Sequence, residues 1–300
     1  MDSSISSSLA IDAFKMRLSD INTVDLDQLH ALSIGVGWPH RAEDWQFLRN
    51  VGHGIAASDE IGRVLGSAMW FPHGSRFATV GMVITSPRLQ SLGAGEWLMR
   101  RVLGEQQGRE LRLNATRVAR RLYLSLDFHP EKTVFQCQGE ARRPQRVSRV
   151  PEDAELRRLE QADLAAVGEL DAKAFGVSRS KLLGALFQES VGFGLFRRGK
   201  LAAFALCRGF GRGHVVGPAV ASGDEDAIAV VAPHVSLHEG RFLRLDTHLM
   251  EGEFGTFLSQ SGLSVFDTVL TMSIAGDFPD PERRSSGRPA TYALASQALG

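Results

Sequence analysis

Cysteine is almost missing from this chain: Cys137 and Cys207 are the only two in 300 residues. Two thiols so far apart make neither a disulfide framework nor a ligand cluster, so a reduced, cytoplasmic protein without metal is expected. An excess of one charge is missing too. Lys and Arg total 34 and so do Asp and Glu, so no net field gathers polyanions and nucleic acid is not expected as a partner. No apolar run approaches the ~18 residues of a spanning helix, which argues against the membrane. The start, Met1-Asp-Ser-Ser-Ile-Ser-Ser-Ser, has neither the basic nor the apolar stretch of a secretory signal. Against these absences stand 43% hydrophobic and 23% charged residues, ordinary values for a folded chain with buried cores. A length of 300 residues predicts two domains.

The joint between them is expected at Ala141-Arg-Arg-Pro-Gln-Arg-Val-Ser-Arg-Val-Pro151, rich in arginine and proline and without an apolar face. It reads as a solvated linker, dividing the chain into residues 1–141 and 142–300. A second Pro-rich break, Asp277 to Pro289, precedes a short apolar tail. The halves resemble each other. Leu111-Arg-Leu-Asn114 matches Leu243-Arg-Leu-Asp246, and Tyr123-Leu-Ser-Leu matches Phe257-Leu-Ser-Gln. Thr133-Val134 matches Thr268-Val269 in the same order. Three short matches in sequence favour tandem copies of one fold.

Periodicity in the first half predicts a strand over 14–17, helices over 25–33 and 43–49, and strands over 54–57, 64–71 and 78–85. A helix over 93–105, a strand over 110–114, a helix over 118–126 and a strand over 133–138 complete it. This β-α-α-β-β-β-α-β-α-β order is α/β with a mixed sheet, antiparallel at first with one parallel crossover.

The most informative stretch is Gly81-Met-Val-Ile-Thr-Ser-Pro-Arg-Leu-Gln-Ser-Leu-Gly-Ala-Gly-Glu-Trp-Leu-Met99. A strand ends at Thr85, and Gln90-Ser91-Leu92-Gly93-Ala94-Gly95 opens a helix. Two glycines strip side chains from successive amides at a helix N-terminus, which makes a nest for a pyrophosphate, with Arg88 adding charge. The spacing fits neither a Walker loop nor the dinucleotide fingerprint.

This stretch, followed by Leu111-Arg-Leu-Asn-Ala-Thr116 and Leu122-Tyr123 through Phe128, resembles the GNAT acyl-CoA-dependent N-acetyltransferases. The specific match spans about residues 78–128, and the element order extends it over 14–140. The second half resembles, more loosely, the C-terminal GNAT-like domain of tandem members. The resemblance implies acetyl-CoA as co-substrate and acetyl transfer to a primary amine by direct attack; a small-molecule acceptor is expected because a second domain leaning over the cleft leaves less room for a peptide. It places the pyrophosphate on Gln90, Ser91, Leu92, Gly93, Ala94 and Gly95, and pantetheine along the backbone of Val83, Ile84 and Thr85. It sets Asn114 in the cofactor cleft and gives Tyr123 the role of protonating the departing thiolate. One departure is Asp127-Phe128, where the family has Gly-Phe.

The residues leave the general base open among a carboxylate, a histidine and a backbone carbonyl reached through water, with His40, His53 and His73 as the histidines that could border the cleft. Trp38 and His40, in Trp38-Pro-His-Arg-Ala-Glu-Asp-Trp45, are candidates for the acceptor pocket, as is Asp246 from the second half; Trp45 reads more readily as core. His234 and His238 lack a third metal ligand in sequence. In the second half, Ala221-Ser-Gly-Asp-Glu-Asp-Ala227 replaces the glycine loop, and its acids would repel a pyrophosphate; Phe257 replaces Tyr123. One active site, in the first half, is expected. The alternative function is a non-catalytic acyl-CoA-binding sensor.

Overall fold

The computed structural model describes residues 8–11, 14–90, 92–144, 153–274 and 288–300. The first half runs β1 (Ser8–Ile11), β2 (Phe14–Asp20), α1 (Leu26–Gly35), α2 (Ala42–Val51), β3 (His53–Ser58), β4 (Val64–His73) and β5 (Phe77–Thr85). It continues through α3 (Ala94–Glu105), β6 (Glu110–Ala115), α4 (Arg120–Leu124) and β7 (His129–Glu140). The second half repeats the order from β2: β8 (Ala154–Arg158), α5 (Leu164–Phe175), α6 (Ser180–Glu189), β9 (Val191–Arg197), β10 (Lys200–Phe210) and β11 (Gly213–Ala221). Then come α7 (Asp224–Leu237), β12 (Phe242–Thr247), α8 (Gly252–Gln260) and β13 (Ser264–Ile274). A last strand, β14 (Ala290–Ala293), has no counterpart in the first half. Most of the expected linker, residues 145–151, and most of the second Pro-rich break lie outside the described residues.

Local chemistry explains the boundaries. Asp25 caps α1 by accepting from the Asp27 amide at 2.8 Å, and Leu29 and Leu32 carry its buried side. Asp44 accepts from the Arg41 amide at 2.8 Å and starts α2. Helix α4 is shorter than its sequence pattern predicts, because Asp127 takes φ +62° just beyond it and the chain turns there into β7.

The strands form one sheet in the order β1-β2-β3-β4-β5-β6-β13-β7-β12-β11-β10-β9-β8. Its middle is an exchange. β6 of the first half pairs with β13 of the second, and β7 of the first pairs with β12 of the second, all antiparallel. β13 and β7 pair with each other, with Val269 opposite Val134. These two are repeat counterparts, so the halves are related by a pseudo-twofold axis that passes between them. The core is shared as well. One cluster joins Leu29, Trp45, Phe71 and Met82 to Leu182, Phe204, Val220 and Leu299. Each such side chain contributes about 1.5–3 kcal/mol when fully buried, so the halves are held by one continuous interior. Arg179, on the second half, donates to Asp171 at 2.8 and 2.9 Å with both side chains fully buried. It also donates to the main-chain oxygens of Leu299 (3.3 Å) and Gly300 (2.6 Å), pinning the last residues under the sheet.

Candidate active site

β5 and β6 run parallel only from Phe77–Glu110 to Val80–Leu113. Beyond that they part. The cause is a bulge: the β4–β5 register shifts between Ser67 and Met69, with Met82 at φ +52°. The Ser67 hydroxyl donates to the Met82 carbonyl at 2.7 Å, holding the bulge in place. An extra residue in one strand bends it and leaves ladder groups unpaired, so the edge of Val83–Thr85 is turned toward a lane between the two strands. At the end of that lane Gly93 caps α3 in the left-handed conformation, φ +83°, with no side chain capping the helix. A Cβ on Gly95 would stand 3.2 Å from Leu122, so this glycine lets α4 close on the helix start. The first amides of α3 thus lie uncovered at the positive end of a helix dipole.

The lane opens into a cavity of about 300 Å³. Tyr123 from α4 lines it together with Trp38, His40, Phe210 and Arg244. Tyr123 is buried, packed edge-on against Phe128, and burial raises its phenol above its ordinary value. It is therefore held as a proton donor at any physiological pH. His40 packs against Trp38, Trp45 and Phe210. Burial first, then the Arg244 and Arg208 charges, lower its pKa to about 4 against the opposing pull of Asp44. Its Nδ1 is buried without a hydrogen-bond partner among the described residues. The imidazole is neutral at pH 7.

The second half parts its sheet in the same way. β11 and β12 pair only from His214–Leu243 to Val216–Leu245, with a matching register shift between Ala205 and Cys207 of β10. Here the lane is filled. β14 pairs antiparallel with Ala219–Ala221, the segment equivalent to Val83–Thr85. At its head, Tyr292 donates to Asp224 at 2.8 Å, at the start of α7 where Asp224, Glu225 and Asp226 fill the first turn. A carboxylate at a helix N-terminus satisfies the dipole that a phosphate would otherwise use.

Residues 167–285 match the family described as acetyltransferase (GNAT) domain. A search of curated proteins returns no match. Among solved structures the chain is similar to a putative acetyltransferase from Pyrococcus horikoshii, at 19% identity and TM-score 0.76, covering 97% of this chain and 98% of that one. It is similar to a tandem GNAT protein from the clavulanic acid biosynthesis pathway, at 15% identity and TM-score 0.61, covering 86% and 98%. A GCN5-related N-acetyltransferase from Sphaerobacter thermophilus matches at 16% identity and TM-score 0.64, covering 89% and 96%.

Residues 167–285 match a GNAT domain, and the whole chain has the fold of these solved structures, a tandem one among them. The family match falls on the second GNAT unit, the one whose lane is filled by its own strand, so recognisable fold and open lane lie in different halves.

Within this fold the residues singled out by sequence fall as follows. Val83, Asn114, Tyr123, Trp38 and His40 all line the cavity. Ile84 points its side chain into the core and offers only backbone to the lane, as does the half-buried Thr85. Gln90, Leu92 and Gly93 are exposed, Ala94 is buried and Gly95 is half-buried; Ser91 lies outside the described residues. Asp246 is fully buried and bound by Arg244 at 2.8 to 3.1 Å, so Arg244 and not Asp246 lines the cavity. Trp45 is core, donating to Ser33 at 3.3 Å. His53 is exposed, and His73 packs against Phe77 and Phe175. His234 lies against the Ala205 carbonyl at 3.1 Å. Among the described residues no group of three metal-ligating side chains converges.

Sequence reasoning missed the tail. Ser296, Gln297 and Ala298 line the cavity, and Ala298 crosses β5 so closely that a Cβ on Gly81 would stand 2.6 Å from it. Asn114 donates to the Gln297 carbonyl at 2.8 Å, and the Gln297 amide donates to Gln136 at 3.1 Å. Arg244 was findable, since it occupies the position of Arg112 in the repeated Leu-Arg-Leu segment. Phe210 and Gln297 carry no such signal.

Proposed function

We propose that the first GNAT unit transfers acetyl from acetyl-CoA to a primary amine on a small molecule. The observation that carries this reading is the open lane: an unpaired strand edge at Val83–Thr85, a glycine-capped helix start at Gly93, and a buried phenol where both meet the cavity. Pantetheine would add as a strand along Val83–Thr85, and the pyrophosphate would take the amides at the start of α3. An amide of the bulged strand would polarise the thioester carbonyl.

The amine, entering past Trp38 and His40, attacks the carbonyl carbon. The N–C bond forms and the C–S bond breaks, and the sulfur leaves with the Tyr123 proton. Burial raises the phenol, but it destabilises a departing thiolate by the same means, so the proton still finds the sulfur. His40, neutral and with Nδ1 unpartnered, takes the proton released by the nitrogen. So weak a base serves once the C–S bond has broken, because the N-protonated amide then left is strongly acidic, and His40 passes the proton on to solvent. Tyr123 is reprotonated through solvent after product leaves. A small acceptor is favoured because Phe210, Arg244 and residues 296–298 of the second unit roof the cavity.

Calorimetric titration of acetyl-CoA into the wild type and Gly93→Asp, with free thiol followed on adding a panel of amines, tests the reading. One site per chain, lost in the variant, with thiol release on some amine, supports it. Absence of binding sinks it, and binding without thiol release on any amine moves the function to a CoA sensor.

A further inference from the structure

Three aromatic side chains of the second unit, Phe210, Phe242 and Phe266, line the cavity that holds Tyr123 and His40. The repeated fold does not account for them. Phe210 ends β10 where His73 ends β4. Phe242 precedes Leu243-Arg-Leu-Asp246 where Glu110 precedes Leu111-Arg-Leu-Asn114. Phe266 stands two residues before Thr268-Val269, and Glu131 two residues before Thr133-Val134. A histidine and two carboxylates thus hold the equivalent places in the first unit, and the rings belong to this cavity alone.

Phe266 is set there by a bulge. Val265 lies opposite Cys137 and Asp267 opposite Gln136, so Phe266 is the extra residue of β13, without a partner on β7. Bulges beside active sites re-aim a side chain. This one leaves the ring 66% exposed at the cavity. Phe210, by contrast, is buried and fixed. Its ring meets His40 edge-on at 5.1 Å and has the Arg208 and Arg244 guanidinium groups at 5.3 and 5.6 Å. Two cations already draw on that ring, so it meets a substrate as apolar surface and not as a seat for an ammonium.

The charges of the lining cancel. Arg244 is bound by Asp246, and Arg212 and Asp267 are both exposed at the rim. Among the described residues no other carboxylate lines the cavity. A second ammonium on the acceptor therefore finds no counter-charge inside, and for a carboxylate the buried guanidinium of the lining is already taken. We propose, on the footing of the transfer reading above, that the acceptor is a primary amine on an aromatic body with no second charge, and that Phe266 selects it. The acceptor ring lies among Trp38, Phe242 and Phe266, which points its amine to His40 and the thioester.

The test compares 2-phenylethylamine with n-butylamine, spermidine and phenylalanine on the full chain. Thiol release from acetyl-CoA gives kcat/KM for each amine, and calorimetry in the presence of CoA gives its binding without turnover. 2-Phenylethylamine should exceed each of the others by about tenfold or more in kcat/KM. In Phe266→Ala its advantage over n-butylamine should shrink about tenfold, while CoA affinity stays within about twofold. Equal rates, or a preference for n-butylamine, spermidine or phenylalanine, overturn the aromatic acceptor and leave the transfer reading intact. An undiminished advantage in the variant removes Phe266 from selection, and a loss of CoA affinity assigns the ring to the cofactor instead. Binding of 2-phenylethylamine with no thiol released from any amine supports the aromatic site and strikes the transfer reading. Absence of both overturns the site.

Discussion

In the first unit β5 and β6 part after Val80 and Leu113 and the lane between them is open; in the second, β11 and β12 part after Val216 and Leu245 and β14 lies in the lane. The same bulge opens both sheets. What differs is the head of the following helix. Both helices start at a glycine without a side-chain cap, Gly93 and Gly223, but the first turn of α3 holds one acid, Glu96, and that of α7 holds three, with a tyrosine donating to one of them. The comparison teaches that the lane is a strand vacancy, and that a peptide strand of the same chain can fill it. On the proposed reading, the few residues at the helix start decide whether a phosphate is accepted, and there the second unit has a cluster of carboxylates and a phenol.

The difference can be broken at several points. The largest effect is expected from Gly93→Asp, which puts an acid at the head of the first helix. A like charge about 4 Å from a phosphate costs about 4 kcal/mol at an effective dielectric near 20, so CoA affinity should fall about a thousandfold by calorimetry. Gly93→Ala separates the cost of φ +83°, about 1–2 kcal/mol, from the charge; if both variants bind alike, charge is not what distinguishes the two heads.

Next comes Tyr123→Phe, which gives the first unit the side chain the second has at Phe257. Turnover should drop about a hundredfold while CoA affinity stays within twofold, measured as thiol release against calorimetric binding. An unchanged rate would remove Tyr123 from the proton path.

Tyr292→Phe loosens the strand that fills the second lane. Losing a hydrogen bond to a carboxylate costs about 1.5–3 kcal/mol, read as a lower Tm, yet CoA stoichiometry should remain one per chain because the acids of α7 stay. Two bound CoA per chain would show that β14 alone, and not its acidic head, keeps the second unit silent.

The smallest and broadest effect is on pH. His40 and His234 are lowered to about 4, and His73 and His248 to about 3, each mainly by burial. A histidine depressed in the fold binds its proton more readily when unfolded, so its contribution is present above pH 6.5 and is lost as pH falls toward 4. The Tm should fall steadily from pH 7 to pH 5, and His40→Gln should flatten part of that slope. A flat Tm over this range would mean these rings are solvated.

Much of this was legible in the sequence, and the physical reason is locality. Helices α1, α2 and α3 and strands β3 to β7 lie within a few residues of where periodicity puts them, because each is written in its own apolar spacing. The glycine pair at Gly93 and Gly95 is legible for the same reason: a left-handed cap and a close helix approach are local demands. The repeat, too, is visible in Leu111-Arg-Leu-Asn114 and Leu243-Arg-Leu-Asp246. The exchange of β7 and β13 is not, since both strands have the same alternation whichever neighbour they choose. Nor is β14: four residues, Ala290-Thr-Tyr-Ala293, carry no period, and their place is set by a vacancy elsewhere in the fold. Asp246 shows the limit of repeat logic, as its position corresponds to Asn114 while its carboxylate is claimed by Arg244.

The exchanged strands also set a condition on how the chain is made. Translation delivers the first unit long before β13, so β6 emerges with one edge unpaired and β7 without β12. Both must wait for sequence near the far end of the chain. Until then the first unit is a sheet with two open borders, of the kind that recruits foreign strands. A ribosome that stalls within the second unit would therefore release an aggregation-prone fragment instead of a folded half.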